Sequence, residues 1–290
     1  MAISHWQWIP CLFIENIFRV SDKLYLIPGI RYEWLEGAAA GRNGFNKSGQ
    51  AIQLQNITRS RSFLLGGIGS EYHLTSSTEF YANFAQAYRP IQFANLQAPP
   101  TTDLIDQDLK DARGYNLDLG YRGKVKNYLQ FDVSGFYLQY NNRVGTITPS
   151  GTNYRLVTNV GASTSKGLET YIEFNPLRAF SNSAHSDIIF FSSYSYTDAR
   201  YSSNHQDANT KGKKVENAPE HIVRSGVTYS IKGFALTGQV SYVSDAFADA
   251  NNTAAATANA QNGLIPSYTV TDITASLRLK KNVSIKTGIN

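Results

Sequence analysis

"YNLDLGYRGK", residues 115–124, decides how this chain folds. Tyr115, Leu117, Leu119 and Tyr121 alternate with Asn116, Asp118, Gly120 and Arg122. A period of two gives a strand one apolar face and one polar face. The apolar face must meet something that excludes water, either a protein core or a lipid phase.

The same alternation recurs along the 290 residues. "LYLIPGIRYEW" (24–34), "EFYANFAQAY" (79–88), "VRSGVTYSI" (223–231) and "DITASLRLKK" (272–281) each carry it. Such segments predict strands over 11–20, 23–35, 61–75, 78–88, 111–124, 127–141, 165–176, 186–198, 220–231, 233–245, 267–279 and 282–290. That is about twelve strands, many longer than the usual ~5–6 residues. No amphipathic helix is expected between them. Short turns at 21–22, 76–77, 125–126, 177–185, 232 and 280–281 alternate with long polar loops at 36–60, 89–110, 142–164, 199–219 and 246–266. Loops this long are uncommon in compact domains. Here they fall on one rim of an up-and-down meander.

Composition narrows the class. Aromatic residues make up 12% and charged residues 17%, below the ~25% charge of ordinary soluble domains. Mean hydropathy is −0.31. The longest apolar runs, such as "IPCLFI" (9–14), fall far short of the ~20 residues a spanning helix needs. Long alternating strands with tight turns on one rim and long loops on the other predict an all-β, up-and-down antiparallel transmembrane β-barrel. Leu117 and Leu119 then face lipid, and Asp118 and Arg122 line a wet lumen. Trp34, Tyr88, Tyr121 and Tyr242 suit the aromatic girdles at the membrane interfaces. A soluble β-sandwich would have shorter strands and less lopsided loops.

The single cysteine, Cys11, excludes an intrachain disulfide. The net charge of +5 is scattered rather than gathered in a stripe, which argues against nucleic acid. The opening "MAISHWQWIP" has no basic region, long apolar core or cleavage site of a secretory signal. It fits either a cytosolic protein or a piece of a longer chain.

Six stretches, in order, carry a resemblance to a known family: "FIENIFRVSDKLYLIPGIRYEW" (13–34) with Pro28, Gly29, Arg31, Tyr32 and Glu33; "TEFYANFAQAYRP" (78–90); "DARGYNLDLGYRG" (111–123), with Asp118 where Glu is usual; "GASTSKGLETYIEF" (161–174) with Gly167, Leu168 and Glu169; "NAPEHIVRSGVTY" (217–229); and "IPSYTVTDITASLRLKKNVSIKTGIN" (265–290). Together they resemble the C-terminal part of TonB-dependent outer-membrane receptors. "SDAFADANNT" (244–253) with "NGLIPSYTV" (262–270) is similar to ferric citrate receptors within that family.

The resemblance implies an outer-membrane location and a barrel of 22 strands, of which this chain supplies about twelve. It implies a plug domain and the inner-membrane TonB complex as partners, both outside this chain, with outer-membrane lipid and lipopolysaccharide around it. The expected organisation is an atypical segment 1–10 loosely attached to a partial barrel 11–290, without plug or last strand, and open at its two edges. The implied function is uptake of a ferric chelate as transported ligand, with no cofactor. A passive porin and a twelve-stranded outer-membrane phospholipase are the alternatives.

No catalytic or metal-ligating constellation stands out. The histidines, His5, His73, His185, His205 and His221, are spread along the chain, with no metal-ligand spacing. A lipase would need Ser, His and an orienting group at one rim, and His73 falls near the tight-turn rim instead. Cations crowd the long loops. Arg42, Arg89, Arg143, Arg155, Arg200, Lys211 and Lys213 are the candidate binding residues for an anionic ferric chelate, because guanidinium groups pair with carboxylates in bidentate fashion.

Overall fold

A computed structural model describes residues 2–45, 51–91, 103–106, 108–147, 149, 155–181, 185–204, 209–258, 262–280 and 283–290, and of residues 2–7, 39–45, 51–59, 103, 105, 146, 155 and 280 the backbone alone. One antiparallel sheet dominates. Its long strands are β4 (Leu24–Phe45), β5 (Ala51–His73), β6 (Thr78–Arg89), β8 (Ala112–Val125), β9 (Leu129–Asn141), β12 (Ser163–Phe174), β13 (Ser186–Tyr201), β14 (His221–Ile231), β15 (Phe234–Val243), β18 (Tyr268–Lys280) and β19 (Val283–Ile289). They follow one another in chain order. The first lane is a broken strand, β1 (Ala2–Trp8), β2 (Cys11–Glu15) and β3 (Phe18–Arg19), all paired with β4. The sheet has twelve lanes and is open.

The expected strands and the expected open edges are both present. At the first edge Leu12, Phe13 and Ile14 are 68%, 67% and 65% exposed, and at the last Ile289 is 71% exposed.

Three expectations change. Residues 1–10 were expected to hang loosely, yet Ala2–Trp8 pair with Arg42–Glu36 in unbroken register. An extended segment beside an unpaired strand edge satisfies its backbone by adding to it. The expected loop 36–60 is mostly a ribbon, because β4 and β5 stay paired from Leu24↔Tyr72 out to Phe45↔Ala51. Polar composition misled here: a two-stranded ribbon outside the core needs no apolar face. The connection at 177–185 begins with a short helix, α1 (Pro176–Phe180), capped by the Asn175 side chain on Arg178 N.

The two faces differ as the alternation requires. On β8, Tyr115, Leu117 and Leu119 are 37%, 46% and 62% exposed, whereas Asn116 and Asp118 are half-buried. Polar side chains on the other face reach across intervening strands. Tyr81 on β6 donates to Asp132 on β9 at 2.9 Å, and Arg122 on β8 meets Glu71 on β5 at 3.2 Å. Side chains converge in this way only on a concave surface. The polar face is therefore the inside of the curve, and the apolar face is convex. A soluble protein would not leave Phe80, Phe84, Leu117 and Leu119 exposed along adjoining strands. A transmembrane barrel turns such a face to lipid.

Candidate functional site

The well-buried cluster lies among the long loops, not between sheets. Ile147, Val160, Ala199, Tyr201, Val215 and Ala250 pack together there. Within these loops β10 (Val144–Ile147) pairs with β11 (Arg155–Asn159), and β11 pairs in parallel with β7 (Asp103–Ile105). A two-residue pair, β16 (Ala246–Phe247) and β17 (Leu264–Ile265), lies in the last loop. Asn159 ties three segments, accepting from Lys110 N at 2.7 Å and donating to the carbonyls of Lys110 and Asn142 at 2.8 Å. Asn252 does the same for the later loops, accepting from Lys214 N at 2.7 Å and donating to Lys214 O at 2.8 Å. Asp249 caps its own turn through Asn251 N and Thr253 Oγ1, both at 3.0 Å. The loops form a knitted cap.

Of the seven candidate cations, the five with described side chains stand on separate segments with separate partners. Arg143 is half-buried, with Nη2 3.4 Å from Glu216 Oε1. Tyr201 donates its hydroxyl to the other oxygen of that carboxylate. Arg200 pairs with Asp198 at 2.6 Å and donates to Gly212 O at 3.1 Å. Its register places it in the convex series with Tyr196 and Tyr194, away from the concave wall. Lys211 is exposed and Lys213 half-buried, on the segment that folds back along β13 through Tyr201 N to Lys213 O at 2.9 Å. Arg89 is exposed at the end of β6. Arg42 and Arg155 lie on β4 and β11, and their side chains fall outside the described residues.

Two groupings escaped the sequence. At the outer end of β6, the β5–β6 ladder stops at Gly67↔Ala85. Asp111 closes the gap: it pairs with Arg61, accepts from Tyr88 Oη at 2.6 Å and from Ile91 N at 2.9 Å. Tyr88, expected in a girdle, instead stacks on Phe63 with ring centroids 3.7 Å apart. These partners are about twenty to fifty residues apart, and no local pattern relates them.

The second grouping is on the concave wall near the tight turns. Arg122 Nε meets Glu79 at 2.6 Å and its Nη2 meets Glu71 at 3.2 Å. His73 Nδ1 lies 3.1 Å from Glu79 and its Nε2 3.9 Å from Glu71. Glu71, His73 and Glu79 offer ligand atoms within 4.8 Å of one another. The guanidinium already spans both carboxylates, so the arrangement is an ion-paired wall network. His221, read as part of a turn, opens β14 with its Nδ1 2.9 Å from Tyr194 Oη.

Comparison with known proteins accords with this geometry. The model of the TonB-dependent receptor-like β-barrel family matches residues 3–290. An uncharacterised TonB-dependent receptor of Haemophilus influenzae is 25% identical over 224 residues, covering 77% of this chain and 58% of that protein. Among solved structures, the unliganded ferric citrate transporter FecA superposes with a TM-score of 0.71 at 18% identity, over 99% of this chain and 40% of its own. The siderophore receptor PiuA of Acinetobacter baumannii gives 0.70 at 16% identity, over 98% and 38%. The copper transporter OprC gives 0.71 at 18%, over 98% and 42%. This chain thus spans less than two thirds of each relative. With the family model matched along nearly its whole length, the chain belongs to the TonB-dependent receptor barrel family.

Proposed function

We propose that this chain is wall and outer loops of a bacterial outer-membrane receptor that takes up a ferric chelate, ferric citrate or another siderophore, driven by the inner-membrane TonB complex acting on a plug domain. The carrying observation is the two-faced sheet, with an apolar convex side and a polar concave side crossed by Tyr81–Asp132 and Arg122–Glu71, joined to the family match over residues 3–290. Relatives named for ferric citrate and for a siderophore support an iron chelate as cargo. The family is one of receptors and transporters, and no hydrolytic role is proposed.

The test is uptake of radioactive iron by cells whose only such receptor is the full-length protein, using a panel of ferric chelates with and without a working TonB complex. Uptake of one chelate class that vanishes without TonB is expected. Uptake that persists unchanged without TonB would make the protein a passive porin.

A further inference from the structure

Register sets His73, Glu79, Arg122 and Asp132 in one row across β5, β6, β8 and β9. Glu71 joins them from two residues before His73, on the same concave face. Arg122 takes one oxygen of each glutamate, Glu79 Oε1 through Nε at 2.6 Å and Glu71 Oε1 through Nη2 at 3.2 Å. The second oxygens turn to the imidazole. Glu79 Oε2 lies 3.1 Å from His73 Nδ1, and Glu71 Oε2 lies 3.9 Å from Nε2. Tyr25 meets the His73 ring edge-on, with centroids 5.2 Å apart. Lys23, at the same rim, directs its ammonium to the Leu74 carbonyl at 3.3 Å. With the imidazole neutral, the carboxylates of Glu71, Glu79 and Asp132 face the Arg122 guanidinium and leave negative charge in surplus.

We propose that Glu71, His73 and Glu79 hold a divalent transition-metal ion of the Zn2+ class, through the two Oε2 atoms and one imidazole nitrogen. The three ligand atoms lie within 4.8 Å of one another. Bonds of ~2.0–2.1 Å to one ion set neighbouring ligand atoms about 3–3.5 Å apart, so small side-chain rotations close the shell. The ion takes the place of the proton between His73 and Glu79. Arg122 stays on the far oxygens, where it orients both carboxylates as an outer-shell partner does. A dication also offsets the surplus negative charge. The imidazole selects a transition ion over Ca2+ or Mg2+, which favour oxygen ligands throughout. Three protein ligands leave a fourth position for water. The ligands stand on the two strands that flank the tight turn at Ser76, so the ion clips the β5–β6 hairpin at the inner rim. That is the end of the wall away from the loop cap, and the ion belongs to the wall rather than to the cargo.

The test titrates the full-length receptor in detergent, stripped with EDTA and dialysed, with Zn2+ alone, and follows binding by calorimetry. Four proteins are compared: the wild type, His73→Gln, Glu79→Gln, and His185→Gln, which removes an exposed imidazole at the same rim outside the cluster. Each is taken from the fraction that keeps folded, heat-modifiable gel mobility. Wild type and His185→Gln should bind Zn2+ alike. His73→Gln and Glu79→Gln should each bind it at least about a hundred-fold more weakly, the upper end of what loss of an outer-shell partner alone costs. Excess Mg2+ should not displace the Zn2+. No Zn2+ binding by wild type, undiminished binding by His73→Gln, an equal loss in His185→Gln, or ready displacement by Mg2+ would each overturn the proposal. The site belongs to the barrel wall whatever the receptor carries, so iron uptake with and without TonB tests the receptor reading independently.

Discussion

Arg143 Nη2 lies 3.4 Å from Glu216 Oε1, an ion pair that joins two loops 73 residues apart in the chain. The other oxygen of Glu216 takes the hydroxyl of Tyr201, which is 1% exposed. The carboxylate therefore anchors the loop cap and occupies a cation that the sequence nominates for an anionic ligand. Glu216→Gln should leave Arg143 charged and half-buried without its counterion, a loss of about 1–3 kcal/mol. Hydrogen exchange of the full-length receptor should show faster exchange at Val144–Ile147 and Val160 in that variant, with β8 and β9 unchanged. Unchanged protection of the loops would mean that packing around Ile147 and Val160 holds the cap without the ion pair.

The two faces of β8 should respond oppositely to one cation. Leu119 is convex and 62% exposed, so Leu119→Arg should cost about 2–4 kcal/mol near the bilayer midplane. Asp118 is concave, with Asn116 Nδ2 2.5 Å from its carboxylate, and Asp118→Arg should cost much less. Folding free energies in lipid vesicles measure both. A ruinous Asp118→Arg beside a harmless Leu119→Arg would reverse the assignment of the faces.

Sidedness follows from the rims. Asn204 is exposed in the loop after β13, and Ser76 is exposed in the tight turn between β5 and β6. In the full-length receptor with the exposed Cys11 replaced by Ser, Asn204→Cys should react with an impermeant thiol reagent on intact cells. Ser76→Cys should react only after the cells are broken. Equal labelling of both on intact cells would reject the topology.

Two glycines separate close packing from mere composition. A Cβ on Gly167 would run into the Tyr196 carbonyl and come within 2.7 Å of the Phe136 ring, whereas a Cβ on Gly238 meets nothing within 4 Å. Gly167→Ala should therefore destabilise the barrel by about 1–3 kcal/mol. Gly238→Ala should be neutral or stabilise slightly, since it restricts only the unfolded chain. Urea unfolding of the two variants in the same lipid gives the comparison, and equal midpoints would contradict it.

The alternation of apolar and polar residues in "YNLDLGYRGK" and its counterparts determined the strands, their order and their two faces. A period of two is local, and antiparallel neighbours joined by tight turns pair in chain order with little choice of partner. The order of the six quoted stretches likewise determined the family. Tertiary structure alone decided what the cations do. Whether Arg143 meets a ligand or Glu216, and whether Tyr88 joins a girdle or stacks on Phe63, depend on residues tens of positions away. The ribbon of β4 and β5 was hidden for a related reason. Outside the apolar band its backbone pairs within the hairpin and with β1 whatever the side chains, so its sequence need carry no periodicity.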